Sequence, residues 1–225
     1  MRFRPCIDIH NGKVKQIVGG SLKDEGDQAI TNFASDYNAD FYAETYKKDG
    51  LIGGHIILLN SKTSEYYEAT KEQAMLALRT YQDGLQIGGG ITAENAAEYI
   101  EAGASHVIVT SYVFNNGEIH WGNLQKLIEA VGKEHVVLDL SCRKKDGKYY
   151  VVTDRWQTFT NVEVNEEVLD KLKAGLGKTK NALMGQIDNV LKAFVKIDED
   201  ALMEAALEGL TRPDGTRPLL IAVTQ

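Results

Sequence analysis

Two aspartates stand where an extended apolar run meets a turn. Asp8 lies in Pro5-Cys6-Ile7-Asp8-Ile9, and Asp139 in Val137-Leu138-Asp139-Leu140. Each stretch then passes through a Gly-Lys pair, Gly12-Lys13 or Gly147-Lys148, into a second extended, β-branched run. A carboxyl group can hold a proton or accept one. Two facing the same substrate can divide those tasks as general acid and general base. The plain alternative is that each caps the turn after it. A single strand-terminal aspartate leaves these readings level, but two at matching places in a repeat favour chemistry. Asp8 and Asp139 are 131 residues apart, about half the length of a (βα)8 barrel. The repeat therefore predicts a duplicated half-barrel with the two carboxylates across one mouth.

Gly88-Gly89-Gly90 suggests a phosphate site. Glycines between a strand and a helix let backbone N–H groups close on an anion, and a helix N-terminus favours negative charge. Thr110 and Ser111, ending the neighbouring strand pattern, would add hydroxyl donors. The alternative is a tight turn needing positive φ, for which three consecutive glycines are more than enough. Trp156, in Arg155-Trp156-Gln157-Thr158, either stacks on a planar substrate group or serves as a core or lid aromatic. Gly175-Leu176-Gly177-Lys178-Thr179 falls short of a nucleotide-binding loop, because Leu172 occupies the position of the required first glycine. The five histidines show no ligand-like spacing, so no metal site is expected, and no cofactor is called for.

The elements that must position these groups follow in order. The first strand covers 2–7. Cys6 shares Asp8's face and is expected to pack inside, which argues against a nucleophilic role. Asn11-Gly12 turns into a short strand over 13–18. Helical patterns over 38–48, 64–81, 93–102 (with Thr92 as N-cap) and 118–131 alternate with strand patterns at 55–59, 85–87, 106–109 and 135–140. That alternation predicts an α/β fold with a parallel sheet. After Thr160 no strand pattern recurs until 219–223. Between them lie helical stretches, including an amphipathic stripe of Leu183, Ile187, Val190, Leu191, Phe194 and Val195. Five strands are clear where a closed barrel needs eight.

A 225-residue chain with 43% hydrophobic residues can build a substantial core. No apolar run reaches the ~20 residues that span a bilayer, and the N-terminus does not read as a signal peptide. Two cysteines are too few for a disulfide framework, so the expected compartment is the reducing cytoplasm. A net charge of −7 argues against a nucleic-acid surface while leaving room for a local phosphate pocket.

Residues 1 to about 172 resemble the phosphoribosyl isomerase family of histidine biosynthesis, in its eukaryotic-like branch. The stretches that carry the resemblance are Arg4 to Val14, Lys48 to His55, Gln86 to Ile91, Val107 to Ser111, Val137 to Arg143 and Arg155 to Thr158. The resemblance implies a (βα)8 TIM barrel, here incomplete, with strands 6–8 absent or replaced by a helical tail. It implies an Amadori rearrangement of the aminoaldose ProFAR to the aminoketose PRFAR. In it Asp8 corresponds to the base and Asp139 to the acid. Gly89, Gly90 and Thr110 correspond to one phosphate site, and Trp156 to a ring-stacking residue. It implies a phosphorylated small-molecule substrate and no cofactor. A monomer is expected for the family, with an oligomer expected if the barrel stays open. Residues 175–200 instead resemble the helical N-domain of the signal recognition particle receptor, and 205–225 an internal piece of orotidine 5′-phosphate decarboxylase. These resemblances predict a chimera-like chain with an unrelated tail over 173–225 and impaired turnover. Two alternatives stay open: a non-catalytic barrel fragment, and a barrel like the imidazole glycerol phosphate synthase cyclase.

Overall fold

The computed structural model describes residues 3–18, 21–22, 29–153 and 158–176. The expected N-terminal residue of the first strand, Trp156, the near-nucleotide-loop residues 177–179, the 183–195 stripe and the 219–223 strand lie outside these.

The first strand, β1 (Cys6–His10), turns back antiparallel into β2 (Lys13–Ile17), as the Asn11-Gly12 signal predicts. Both turn residues have positive φ, 52° and 69°, which matches the twist of a two-residue hairpin. β3 (Thr31–Ala34) adds to β2 as an edge strand and carries no clear alternation in the sequence. The parallel part then builds up through α1 (Ala39–Lys48), β4 (Gly54–Leu58), α2 (Tyr67–Thr80), β5 (Leu85–Gly88), α3 (Ala93–Glu101) and β6 (His106–Val109). A small hairpin, β7 (Phe114–Asn115) and β8 (Glu118–Ile119), precedes α4 (Trp121–Val131) and β9 (Val136–Leu138). A three-stranded antiparallel sheet follows, made of β10 (Cys142–Lys145), β11 (Lys148–Thr153) and β12 (Thr158–Glu163), and then α5 (Glu166–Leu176).

The main sheet runs β3-β2-β1-β4-β5-β6-β9, and its last five strands are mutually parallel. This is the expected α/β parallel sheet, in the expected order. Among the described residues it is open.

Strand alternation gives the sheet two unlike faces. Ile7, Ile9, Ile56, Leu58, Leu85, Ile87, Val107, Val109, Val136 and Leu138 point to the helices and are all buried. Small helix residues let the two layers approach: Ala39 and Ala43 on α1, Ala74 and Ala77 on α2, and Ala96 on α3 are fully covered. On α2 the buried positions 70, 74, 77 and 78 trace one helical stripe. α3 starts at a capping box. The Thr92 amide donates to Asn95 Oδ1 at 2.8 Å, which confirms Thr92 as the cap residue.

The other sheet face carries Cys6, Asp8, His55, Ile57, Gln86, Gly88, Ile108 and Val137. Val137 and Ile108 are buried at the β9 side, while His55 and Ile57 are half-buried and Cys6 is exposed toward β1. The expectation that Cys6 packs inside is therefore corrected. It does share Asp8's face, but among the described residues that face is not covered there.

Several boundaries also move. The first strand, expected over 2–7, runs Cys6–His10, so Asp8 is its middle residue and not its end, because the strand continues into the hairpin with β2. The helix expected from 118 begins at Trp121, because Asn116 and Gly117 take positive φ and fold Glu118–Ile119 into a hairpin. The helix expected from 64 begins at Tyr67, after hydrogen-bonded turns through Ser61 and Ser64. Strand character does not stop at Thr160: β12 continues to Glu163, with Lys148 Nζ on Glu163 Oε2 at 2.9 Å. No helix among the described residues is long and apolar enough to cross a membrane.

Candidate functional site

Parallel register fixes how the chemical groups line up. Asp8 pairs with Ile57, Ile57 with Gly88, Gly88 with Ile108, and Ile108 with Val137. This row crosses the sheet near the C-terminal ends of the strands. Asp139 lies two residues beyond Val137, on the same face and one step further along. Its amide continues the ladder by donating to the Val109 carbonyl at 3.0 Å. Both carboxylates thus lie toward the C-terminal side of one sheet face, Asp8 two residues before the end of β1 and Asp139 just past β9. They are four strand intervals apart, at most ~19 Å along the sheet at ~4.8 Å per interval.

The two aspartates have different surroundings. The Cys6 thiol donates to Asp8 Oδ1 at 3.0 Å. That thiol faces solvent, but protein atoms crowd its flanks. The crowding, and then the Asp8 carboxylate, push its pKa well above the ordinary thiol range. Cys6 is therefore a poor nucleophile, as the sequence predicts, though by a different route. His55 stands beside Cys6 on β4. Burial holds it below its usual pKa, against the opposing pull of Asp8, so it is neutral at pH 7.

Asp139 is gripped by hydroxyls. Thr110 Oγ1 donates to its Oδ2 at 3.1 Å, and Ser141 Oγ lies 3.0 and 3.2 Å from Oδ1 and Oδ2. Nearby Cys142 is buried, and its thiol is pushed up to about 11 by that burial and then by Asp139.

The glycine triplet follows β5 directly. Each of its members has its own backbone or packing reason. At Gly88 an added Cβ would meet Ile57 Cδ1 at 3.0 Å. Gly89 has φ +96°, and its Cβ would fall on the Leu58 carbonyl oxygen. Gly90 has φ +68° and opens toward Lys62, whose Cε is 4.0 Å from where a Cβ would stand. The number of glycines is thus accounted for by the turn itself. At the start of α3, the Glu94 carboxylate accepts from the Thr92 hydroxyl and from its own backbone amide, which lowers its pKa. An incoming phosphate would share that helix end with a resident negative charge.

The structure brings Thr110 onto Asp139 and sets Gly88 in the row of Asp8. Ser111 is exposed at the head of the β6 loop, and Trp156 lies outside the described residues. Sequence reasoning missed His55 and Ser141 as site residues. Alternation along Gly54–Leu58 was the available signal for His55. Ser141 had none, because it touches Asp139 only through the bend after β9. Among the described residues no three His, Cys, Asp or Glu side chains cluster in a way that could hold a metal.

The two halves of the sequence echo differ in detail. Asp146 and Gly147 repeat the positive φ values of Asn11 and Gly12, at 52° and 81°. In the first unit the sheet strand itself forms the hairpin. In the second, β9 stops, and the separate strand β10 pairs with β11.

Comparison with known proteins places the chain in a family. The family model described as "Histidine biosynthesis protein" matches residues 2–189. The chain is 55% identical over 176 residues to the chloroplastic 1-(5-phosphoribosyl)-5-((5-phosphoribosylamino)methylideneamino)imidazole-4-carboxamide isomerase of Medicago truncatula. It is 46% identical over 176 residues to the isomerase of the same name from Yarrowia lipolytica, and 41% over 175 residues to that of Saccharomyces cerevisiae. Each alignment covers 76% of this chain, which spans 55% of the Medicago protein and 64% of each yeast protein. The chain, with its five parallel strands matched over most of its length by that family model, belongs to the histidine biosynthesis protein family.

Proposed function

We infer that the chain carries one half of the active site of an aldose–ketose isomerase converting ProFAR to PRFAR, with Asp139 as acid and Asp8 as base. The observation that carries this reading is the placement of both carboxylates toward the C-terminal side of one sheet face, Asp8 in the first parallel strand and Asp139 just past the fifth. The relatives' printed names supply the substrate. In the proposed chemistry Asp139 gives a proton to the ribose ring oxygen as the C1–O bond breaks, leaving an open-chain iminium. Asp8 then takes the C2 proton, and the electron pair forms the C1=C2 bond of an enaminol. Return of that proton from Asp8 to C1, with loss of the 2-hydroxyl proton to Asp139, gives the ketone and restores both groups. Hydroxyl partners suit Asp139 to its part, because they donate to a carboxylate and accept from a carboxylic acid.

Gly88–Gly90 with Ser111 is the proposed phosphate anchor, open at Gly90 and lined by Lys62. Trp156 is the proposed stacking residue. The relatives' substrate carries two phosphoribosyl groups, and the described residues offer one glycine anchor. Positioning contributes much of an enzyme's power, so this chain alone is proposed to turn over slowly. The proposed sheet is part of a TIM barrel. Both cysteines are free, which suits a reducing compartment, the cytoplasm or a plastid like that named for the Medicago protein.

Turnover of ProFAR by the purified chain tests the proposal. Asp8→Asn and Asp139→Asn should each lower the measured rate by about 10²–10⁴-fold. Loss of neither would overturn the two-aspartate reading. A parent rate equal to that of a full-length relative would overturn the claim of impairment.

A further inference from the structure

We propose that Ser141, with Thr110, is the positioning device for Asp139: two hydroxyls that hold its carboxyl in one orientation whether or not it carries the proton. The proposal rests on the reading of Asp139 as an acid–base group.

The terminal torsion of an aspartate is soft. Asp139 is half-buried at the mouth of the sheet, so packing alone does not fix its carboxyl plane. The two hydroxyls do so from different directions. Ser141 spans both oxygens, at 3.0 and 3.2 Å, and Thr110 takes Oδ2 at 3.1 Å. Each hydroxyl is itself held. Ser141 is 5% exposed, and its carbonyl accepts the Val152 amide at 2.8 Å, which ties it to β11. The Thr110 carbonyl accepts the Val113 and Phe114 amides at 3.0 and 2.8 Å.

A serine that served only to shape the bend would direct its hydroxyl at a backbone group. This one reaches a side-chain carboxyl two residues back. Hydroxyl rotors can reverse direction without heavy-atom movement. Asp139 can therefore release and recover a proton while its oxygens stay in place, as an acid acting once per cycle requires. The arrangement also moves Thr110 from the phosphate site to the carboxylate, leaving Ser111 as the hydroxyl of that strand end for an anion.

The test follows the carboxyl carbon resonance of Asp139 against pH in the full chain, labelled at aspartate side chains. Removing a donor to the ionised form raises the midpoint, so Ser141→Ala should shift it up by about one pH unit. Ser141→Thr, which keeps the hydroxyl, should restore the parent midpoint. Thr110→Val, nearly constant in volume, should shift it in the same direction and answers the question if Ser141→Ala fails to fold. Unmoved midpoints in the folded variants overturn the proposal. If the midpoints shift while Asp139→Asn leaves ProFAR turnover unchanged, the clamp stands and the isomerase reading falls. If Asp139→Asn abolishes turnover while the midpoints stay fixed, the isomerase reading stands and the clamp falls.

Discussion

Replacing Gly89 by alanine separates what the glycine turn owes to its backbone from what it could owe to a ligand. Gly89 has φ +96°, and an added Cβ would lie 2.1 Å from the Leu58 carbonyl oxygen, 2.8 Å from its carbonyl carbon and 2.8 Å from its nitrogen. Leu58 ends β4 and is itself buried, so it cannot retreat without breaking the β1–β4 ladder. The positive φ costs about 1–2 kcal/mol for an L-residue, and forcing a methyl group into packed backbone costs about 1–3 kcal/mol more. The sum, roughly 2–5 kcal/mol, is a large part of the ~5–15 kcal/mol that holds a domain of this size. At about 2–4 °C per kcal/mol the thermal midpoint should fall by roughly 10 °C. Circular-dichroism melting measures this directly. Gly50→Ala is the control, because Gly50 has a comparable φ of +66° but nothing within 4 Å of its Cβ, so only the conformational penalty of ~1 kcal/mol applies. If Gly89→Ala melted within 2 °C of Gly50→Ala, the close approach to Leu58 would be refuted as the reason for the glycine.

Two more predictions concern stability. Thr70 accepts the Gly12 amide at 3.0 Å and donates to Asn60 Oδ1 at 2.7 Å, locking the β1–β2 turn onto the loop before α2. Thr70→Val should lower the urea midpoint by the equivalent of about 1–3 kcal/mol, whereas a change under 0.5 kcal/mol would mean the lock is idle. Cys142 carries a pKa raised to about 11 from an ordinary 9.0, so the folded state binds more protons than the unfolded state between those values. Its stabilising contribution is complete below pH 9 and is lost as the pH climbs through 11, at about 1.4 kcal/mol per unit. Urea melts at pH 8 and pH 10.5 should show this fall, and Cys142→Ala should flatten it. An unchanged slope in that variant would assign the loss to other groups.

How much of this was legible beforehand depended on the range of the interactions. The five parallel strands and four of the helices follow from periodicity, because each buries one face against a single layer. The Asn11-Gly12 hairpin was readable from its two turn residues. β3 was not, because Thr31-Asn32-Phe33-Ala34 is exposed throughout and is a strand only through pairing with β2. The β7–β8 hairpin hid inside a helical pattern, since Ile119 sits at a spacing that suits either structure. Asp8 and Asp139 could be singled out because an aspartate closing an apolar run is a local signal. The hydroxyls on Asp139 could not, because Thr110 comes from another strand, 29 residues earlier. A count of glycines did not reveal that one backbone carbonyl, Leu58, requires the middle one.

The separation of the two aspartates is a matter of sheet curvature. Asp8 and Asp139 stand at opposite edges of the parallel sheet, four strand intervals apart. Their distance is the sum of the bend at four strand junctions. The bend is set from the opposite side, where Ala39, Ala43, Ala74, Ala77 and Ala96 decide how closely each helix lies on its strands. The helical layer thus acts as the adjusting screw of a caliper whose jaws are the carboxylates. A single methylene added at Ala74 or Ala77 would respace the two carboxylates. On the proposed acid–base reading, selection on those alanines would act through catalysis as much as through stability.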